Sequence, residues 1–177
     1  EKGLRDFARV VKDLESRGIP HSAVLVGDGS ARRSLQRQLP RAVFHGSLSG
    51  DALAEAYASA DVFLTASTTE GFGGTVAEAM SSGLPVAAYN ASGISQIVID
   101  GETGCIAPPG DWHALANCAA AMLSSKRERV RMGRAARRHA GGLSWETELN
   151  AMEGFYDRAV AGAREANPGL VTTATYY

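Results

Sequence analysis

The segment from residue 62 to residue 88 constrains the fold most, because it combines two apolar runs with a glycine-rich turn. An apolar run at residues 62–64 precedes a loop with three glycines in the four positions 71–74. Helix-forming residues then continue to Gly83, and a second apolar run begins at Pro85. This order predicts a strand, a loop, a helix and a second strand, which is the repeating unit of parallel α/β domains.

The glycine-rich loop predicts a binding site for an anion. Glycine has no Cβ, so the backbone can approach a ligand closely, and the first amides of the following helix carry partial positive charge. Glu70 precedes the turn and Glu78 follows it. Carboxylates repel phosphate but accept hydrogen bonds from sugar hydroxyls, so the combination suits a nucleotide sugar. The alternative is an ordinary loop with two solvent-exposed glutamates.

Strands and helices alternate along the rest of the chain. The apolar residues between Leu4 and Leu14 recur with the period of an amphipathic helix. Five apolar runs are predicted strands, with a further short segment at 96–99; the runs are residues 22–26, 42–45, 61–65, 85–89 and 105–107. We therefore expect an α/β fold with a doubly wound parallel sheet, Rossmann-like, of roughly six strands. Ligands bind at the carboxyl ends of the strands in such sheets.

The turn after the first predicted strand raises a second possibility. Gly27 and Gly29 have the spacing that opens a dinucleotide-binding motif, but Arg32 occupies the position where the third glycine should be. A nicotinamide cofactor is therefore not expected.

Composition excludes several classes of protein. The net charge is -1, with 18 basic and 19 acidic residues, so nucleic acid is not expected as a partner. Cys105 and Cys118 lie in no metal-ligand or redox motif, which predicts buried reduced thiols and a cytoplasmic location. Neither a membrane span nor a signal peptide is predicted. The chain starts without Met at Glu1 and inside a motif, so we expect a fragment.

The C-terminal part is predicted to be helical. Residues 126–139 form an arginine-rich helix, whose charges indicate a solvated face, with a partner or membrane surface as the alternative. A last helix should begin at Ser144. We expect one domain over residues 1–165, followed by a flexible tail at 166–177.

The central segment resembles a known family. Glu70 and Glu78 enclose seven residues, and the surrounding residues resemble the E-x7-E signature of glycosyltransferase family 4, the group 1 retaining enzymes of the GT-B fold; these are Gly71-Phe72-Gly73, Glu78-Ala79-Met80 and Gly83-Leu84-Pro85-Val86. The resemblance covers nearly the whole C-terminal half of such an enzyme. It implies that the N-terminal acceptor-binding domain is missing here.

The resemblance also implies roles for individual residues. Lys2 would clamp the donor diphosphate, and Glu70 would contact hydroxyls of the transferred sugar, so both are the predicted catalytic residues. Glu78 would accept from the ribose diol. The full predicted donor-binding set is Gly27, Gly29, Phe72, Gly73, Gly74, Thr75 and Glu78. No Asp-x-Asp pair lies beside the motif, and neither a metal nor another cofactor is expected.

The function that the resemblance implies is retaining transfer of a hexose, of mannose or glucose type, from a nucleoside-diphosphate sugar to an acceptor. The setting would be cell-envelope glycan synthesis, with possible peripheral membrane contact through the full-length protein. The isolated domain should be inactive. Two alternatives stay open: a non-catalytic module that binds nucleotide sugars or another protein, and a GT-B-like sugar-nucleotide epimerase.

Overall fold

A computed structural model describes residues 2–69, 71 and 73–143, and these ranges contain six helices and five strands. In chain order they are α1 (Leu4–Ser16), β1 (Val24–Val26), α2 (Arg32–Gln38), β2 (Val43–Gly46), α3 (Gly50–Ala58), β3 (Phe63–Thr65), α4 (Gly74–Ser81), β4 (Val86–Tyr89), β5 (Gly104–Ala107), α5 (Trp112–Ser124) and α6 (Lys126–Ala140). Residues up to Gly141 form one compact unit. The predicted last helix from Ser144 and the tail at 166–177 lie outside the described residues.

The strands pair in two parallel sheets. β1 pairs with β2, with Val24 opposite Val43, and β3, β4 and β5 form the second sheet in that order. The parallel α/β class predicted from the sequence is therefore confirmed. The strands differ from the prediction in number, since five rather than about six occur in the described part. The segment at 96–99 lies in turns, where the amide of Val98 donates to Ile94 O at 2.9 Å.

The main core lies on the three-stranded sheet. All four residues of β4 are fully buried, as expected of a parallel strand covered on both faces. Val10 and Leu14 of α1 pack in the same cluster as Leu115 and Met122 of α5. Burying such side chains contributes roughly 1.5 to 3 kcal/mol each relative to solvent exposure. The sheet and the two helices are therefore held together mainly by apolar contact.

Helix α1 also packs against the two-stranded sheet. Ala8 and Val11 form a second buried cluster with Leu35 and Leu39, which packs against Leu25 and Phe44. The apolar face of α1 therefore packs into two hydrophobic clusters, one against each sheet.

A partly buried hydrogen bond connects α1 to the carboxyl end of β4. The hydroxyl of Tyr89 donates to Asp6 Oδ2 at 3.0 Å, and Arg9 Nη1 donates to Asp6 Oδ1 at 3.1 Å. Burial, and next the hydrogen bond to Asp6, raise the pKa of Tyr89 above the ordinary range. The tyrosine therefore remains a neutral donor.

Some arginines of helix α6 contact other parts of the protein, in addition to those that are exposed to solvent. Arg129 donates to the carbonyls of Met122 and Leu123, at 3.1 and 2.7 Å, which satisfies acceptors at the end of α5. Its Nε also lies 3.4 Å from Oδ1 of Asp61, two residues before β3. Arg131 donates to the carbonyl of Gly101 at 2.9 Å. Two of the arginines thus position neighbouring elements.

The two cysteines form a disulfide, so the prediction of separate reduced thiols was wrong. Cys105 lies on β5 and Cys118 on α5, and their Cα atoms are 5.5 Å apart, a separation that suits a disulfide. The spacing of 13 residues matches no motif. The pairing follows from tertiary structure, because α5 folds back onto the strand that precedes it.

No helix within the described ranges is long and apolar enough to cross a bilayer.

Replacing Asp111 by alanine should lower the free energy of unfolding by about 1 kcal/mol. Asp111 is the N-cap of α5, and its Oδ1 accepts from the amide of Ala114 at 2.9 Å. Urea denaturation would measure the change. Asp111→Asn is the matched control, since the amide oxygen preserves the acceptor; equal stability of Asp111→Ala and the wild type would contradict the assignment.

Candidate functional site

A cleft of about 680 Å³ opens between β1 and β3. Five of the residues predicted for the site line it, although they come from widely separated parts of the sequence: Lys2, Gly27, Gly29, Thr75 and Glu78. Gly73 and Gly74 lie immediately before Thr75 at the start of α4. Glu70 and Phe72 lie outside the described residues. The residues that follow the strands therefore meet at one rim, as the parallel topology predicts.

The loop after β1 is shaped by one aspartate. Asp28 Oδ1 accepts from the amide of Gly29 at 2.7 Å, and the amide of Gly27 donates to Gly46 O at 2.7 Å. Arg32 pairs with Asp28 Oδ2 at 3.2 Å and donates to the carbonyl of Phe44 at 3.2 Å. The residue that breaks the dinucleotide motif thus holds the loop against β2, and it also lines the cleft.

The residue that precedes α4 is a glycine in the left-handed region of backbone conformation. Gly73, the cap residue, has φ 71°, and its carbonyl accepts from the amide of Val76 at 2.9 Å. A Cβ at this position would lie 3.0 Å from Ile97 Cδ1. In the described part of the chain, no side chain caps α4 and the amides of Gly74 and Thr75 have no backbone acceptor. These two amides can therefore donate to an anion.

Glu78 is held by a tyrosine from another helix. The hydroxyl of Tyr57, on α3, lies 3.0 Å from Glu78 Oε2 and 3.4 Å from the carbonyl of Thr75. Burial raises the pKa of Tyr57 first, and the hydrogen bond to Glu78 and the charge of that carboxylate raise it further. Tyr57 therefore stays protonated, and its hydroxyl donates a hydrogen bond to Glu78. One of the two carboxylate oxygens is fixed in this way.

Sequence reasoning did not identify Tyr57 as a site residue. Tyr57 lines the cleft, and its ring centroid lies 6.1 Å from that of Phe63. The hydroxyl reaches Glu78 only because α3 and α4 are brought together by tertiary packing. No spacing in the sequence could have revealed this contact.

The rim combines complementary chemical groups. Lys2 supplies a cation just before α1, the start of α4 supplies amides, and Glu78 supplies an acceptor. A cation and backbone amides suit an anionic ligand, while a carboxylate suits hydroxyl donors. Within the described ranges, no three His, Cys, Asp or Glu side chains converge as metal ligands would. A ligand that carries both phosphate and vicinal hydroxyls satisfies all three groups.

Comparison with known proteins gives one consistent result. The family model for glycosyl transferases group 1 matches residues 1–125. A GDP-mannose-dependent alpha-mannosyltransferase of Mycobacterium tuberculosis is 42% identical over 142 residues, which are 80% of this chain and 36% of that protein. Sulfoquinovosyl transferase SQD2 of Arabidopsis thaliana is 40% identical over 150 residues, 82% of this chain and 29% of that protein. The chain thus spans about a third of the length of these relatives.

Solved structures share the fold. Sucrose-phosphate synthase from Thermosynechococcus elongatus superposes with a TM-score of 0.74 at 28% identity, over 91% of this chain and 43% of that one. The Anabaena protein HepE, in complex with UDP and glucose, superposes with a TM-score of 0.74 at 23% identity, over 89% of this chain and 45% of that one. These likenesses agree with the Rossmann-like class inferred from the sequence.

Two neighbouring glycines should respond oppositely to substitution. Gly73→Ala should lower the free energy of unfolding by about 1 to 2 kcal/mol, because alanine is strained at positive φ and its Cβ would crowd Ile97. Gly74→Ala is the matched control: no atom lies within 4 Å of its added Cβ, and a first-turn alanine should be neutral or slightly stabilising. Urea denaturation would compare them, and equal effects would rule out the strained cap.

Proposed function

Because this chain belongs to the group 1 glycosyltransferases and corresponds to a C-terminal domain of their GT-B fold, we propose that its cleft binds the nucleoside-diphosphate sugar donor of a retaining hexosyl transfer. The observation that carries the proposal is the convergence of Lys2, the first amides of α4 and Glu78 on one cleft. Each group suits a different part of such a donor.

The proposed roles follow from charge and hydrogen-bonding capacity. The diphosphate lies between Lys2 and the amides of Gly74 and Thr75, and Gly27 and Gly29 allow the backbone to approach the nucleotide closely. Glu78 accepts from the ribose diol. A carboxylate has about four acceptor positions on its two oxygens, and Tyr57 occupies one of them. Enough acceptor capacity therefore remains for both hydroxyls.

Transfer breaks the bond between the anomeric carbon and the diphosphate oxygen. A new bond forms to the oxygen of an acceptor hydroxyl, whose proton passes to the departing diphosphate. Positive charge develops on the sugar and negative charge on the departing diphosphate. Lys2 and the α4 amides stabilise the departing charge, and one such donor contributes about 3 kcal/mol in comparable sites. Glu70 is the proposed contact to hydroxyls of the transferred sugar, and the Phe72 amide contributes to sugar and diphosphate binding.

We further propose that the sugar is a hexose of mannose or glucose type. The M. tuberculosis relative is GDP-mannose-dependent, and HepE was solved with UDP and glucose. The relatives and neighbours described above are named as transferases or synthases or were solved with a nucleotide and a sugar. They favour a transferase over both alternatives, the epimerase and the non-catalytic module that binds nucleotide sugars or another protein. The acceptor would bind an N-terminal domain, and residues 1–177 alone would bind donor without transferring sugar.

We also propose that the exposed arginines of α6 contact a membrane surface. Arg127, Arg134 and Arg138 are exposed on α6, and their spacing places them on one face of the helix. This face could contact anionic lipid head groups in the full-length protein, which suits synthesis of cell-envelope glycans. The cytoplasmic location stays a prediction, since the disulfide removes the argument from reduced thiols.

Glu78→Gln should weaken GDP binding about tenfold, because a charge-assisted hydrogen bond contributes about 1.5 kcal/mol or more. Its effect on 2′-deoxy-GDP should be smaller, since one of the two hydroxyls is already missing. Tyr57→Phe should weaken GDP binding less than Glu78→Gln does, because it loosens the carboxylate without removing it. Calorimetry would measure the Kd of the wild type and both variants for GDP, and the Kd of the wild type and Glu78→Gln for 2′-deoxy-GDP.

The control for this series is Glu102→Gln, an exposed carboxylate that does not line the cleft. It should bind GDP as the wild type does. Equal affinity of Glu78→Gln and the wild type for GDP, or no binding of any nucleoside diphosphate by the wild type, would overturn the proposed function.

Glu70→Ala should mainly reduce discrimination between a nucleotide sugar and the free nucleotide. The ratio of the Kd values for GDP and GDP-mannose would approach one, while the Kd for GDP changes little, because Glu70 is assigned to the sugar alone. Calorimetry with GDP, UDP, ADP and their sugars would identify the preferred base in the same experiment. An unchanged ratio would contradict the role of Glu70.

A further inference from the structure

Arg32 supplies a second positive charge to the cleft. Of the cleft-lining residues that the structure describes, only Lys2 and Arg32 carry a permanent positive charge. Lys2 lies before α1, whereas Arg32 is the first residue of α2 and follows the Gly27–Gly29 loop. In the proposed function Lys2 binds the diphosphate, and the guanidinium of Arg32 has no role toward the ligand. Its place in the cleft therefore needs a separate explanation.

Two acceptors fix the orientation of this guanidinium. Nη1 donates to Asp28 Oδ2 and Nη2 donates to the carbonyl of Phe44, both at 3.2 Å. A Cβ at Gly46 would lie 3.1 Å from Arg32 Nη1, so the guanidinium lies against the end of β2. These two bonds engage two of the five N–H groups of a guanidinium, and the side chain is 29% exposed. Further N–H groups can therefore donate to a ligand in the cleft.

The ion pair with Asp28 makes this part of the cleft unsuitable for phosphate. Asp28 also lines the cleft, and its carboxylate neutralises the guanidinium while it remains 59% exposed. A phosphate placed here would approach an exposed negative charge. An uncharged polar group avoids this repulsion and can still accept from the remaining N–H groups.

Apolar side chains beside Arg32 suit the faces of a flat ring. Val26, the last residue of β1, is 42% exposed, and Leu48 follows β2; both line the cleft together with Arg32. Small-molecule sites commonly combine apolar walls with a few polar groups that fix the orientation of the ligand. A ring that contacts apolar side chains with its faces and a guanidinium with its edge has the chemistry of a nucleobase.

The location of this group of residues also fits the layout of the proposed donor. A ribose carries its diphosphate and its base at opposite ends of the sugar ring. The diphosphate is assigned to the start of α4, which follows β3, and the ribose to Glu78. Val26, Arg32 and Leu48 belong to the other side of the cleft, formed by β1, β2 and the residues that follow them. A base that extends away from the diphosphate is directed toward this side.

We propose that Arg32 recognises the base of the donor nucleotide and selects guanine, an inference that rests on the proposed function. A guanidinium donates hydrogen bonds and cannot accept them, so it favours an edge made of acceptors. Guanine presents two neighbouring acceptors, O6 and N7, which match the fork of N–H groups in arginine. Adenine presents N7 beside the N6 amino group, which is a donor, so one of the two bonds is lost.

Calorimetry with GDP, ADP and 7-deaza-GDP tests the assignment, since 7-deaza-GDP has a C–H group in place of the N7 acceptor. The wild type should bind GDP at least about tenfold more tightly than ADP, and also more tightly than 7-deaza-GDP. Arg32→Met retains an apolar stem but removes every N–H group. This variant should weaken GDP binding about tenfold and weaken ADP binding less, so that the Kd values for the three ligands converge.

The matched control is Arg33→Met, which removes the neighbouring arginine of α2; Arg33 is exposed and does not line the cleft. It should leave the Kd values for all the ligands unchanged. A purely structural role of Arg32 in holding the Gly27–Gly29 loop predicts a different result, because a loosened loop weakens binding of every nucleotide by the same factor. Unchanged ratios of the Kd values in Arg32→Met would therefore overturn the inference.

Two further outcomes distinguish failure of this inference from failure of the proposed function. If the wild type binds ADP or UDP as tightly as GDP, selection of guanine is wrong, whereas the assignment of the donor site still holds. If the wild type binds no nucleoside diphosphate, both the inference and the proposed function are wrong.

Discussion

Parallel pairing of β3, β4 and β5 is the interaction on which the site depends. Because the strands run in the same direction, the residues that follow them emerge at one edge of the sheet. The register places Thr65 opposite Ala88, so the glycine-rich loop begins beside the end of the fully buried central strand. Side chains such as Tyr89 then anchor this edge to α1.

The site arises from contacts between elements that are distant in sequence. Gly73 adopts the left-handed conformation at the start of α4, and the first amides of this helix have no intrahelical acceptors. Tyr57 then ties α3 to Glu78, so the carboxylate is held by a group 21 residues earlier in the chain. Lys2 reaches the same cleft from the start of α1. The start of α4, the carboxylate of Glu78 and the ammonium group of Lys2 are thereby placed around one cleft.

Much of this arrangement could be predicted from sequence, because it depends on short-range patterns. The alternation of apolar runs and helical periods gave the parallel α/β class, and the Glu70 to Val86 segment gave the family. The disulfide between Cys105 and Cys118 could not be predicted, since it depends on how α5 returns to β5. The structural roles of Arg32 and Arg129 were also not predicted from the sequence. Both donate hydrogen bonds to carbonyls on other elements, and no periodic pattern in the sequence indicates such contacts.

The hydrogen bond between Tyr57 and Glu78 has a consequence for how the cleft responds to its surroundings. Since burial and the neighbouring carboxylate both oppose loss of the phenolic proton, this latch persists through neutral and moderately alkaline solution. Titration of Tyr57 therefore contributes nothing to any pH dependence of ligand binding in that interval.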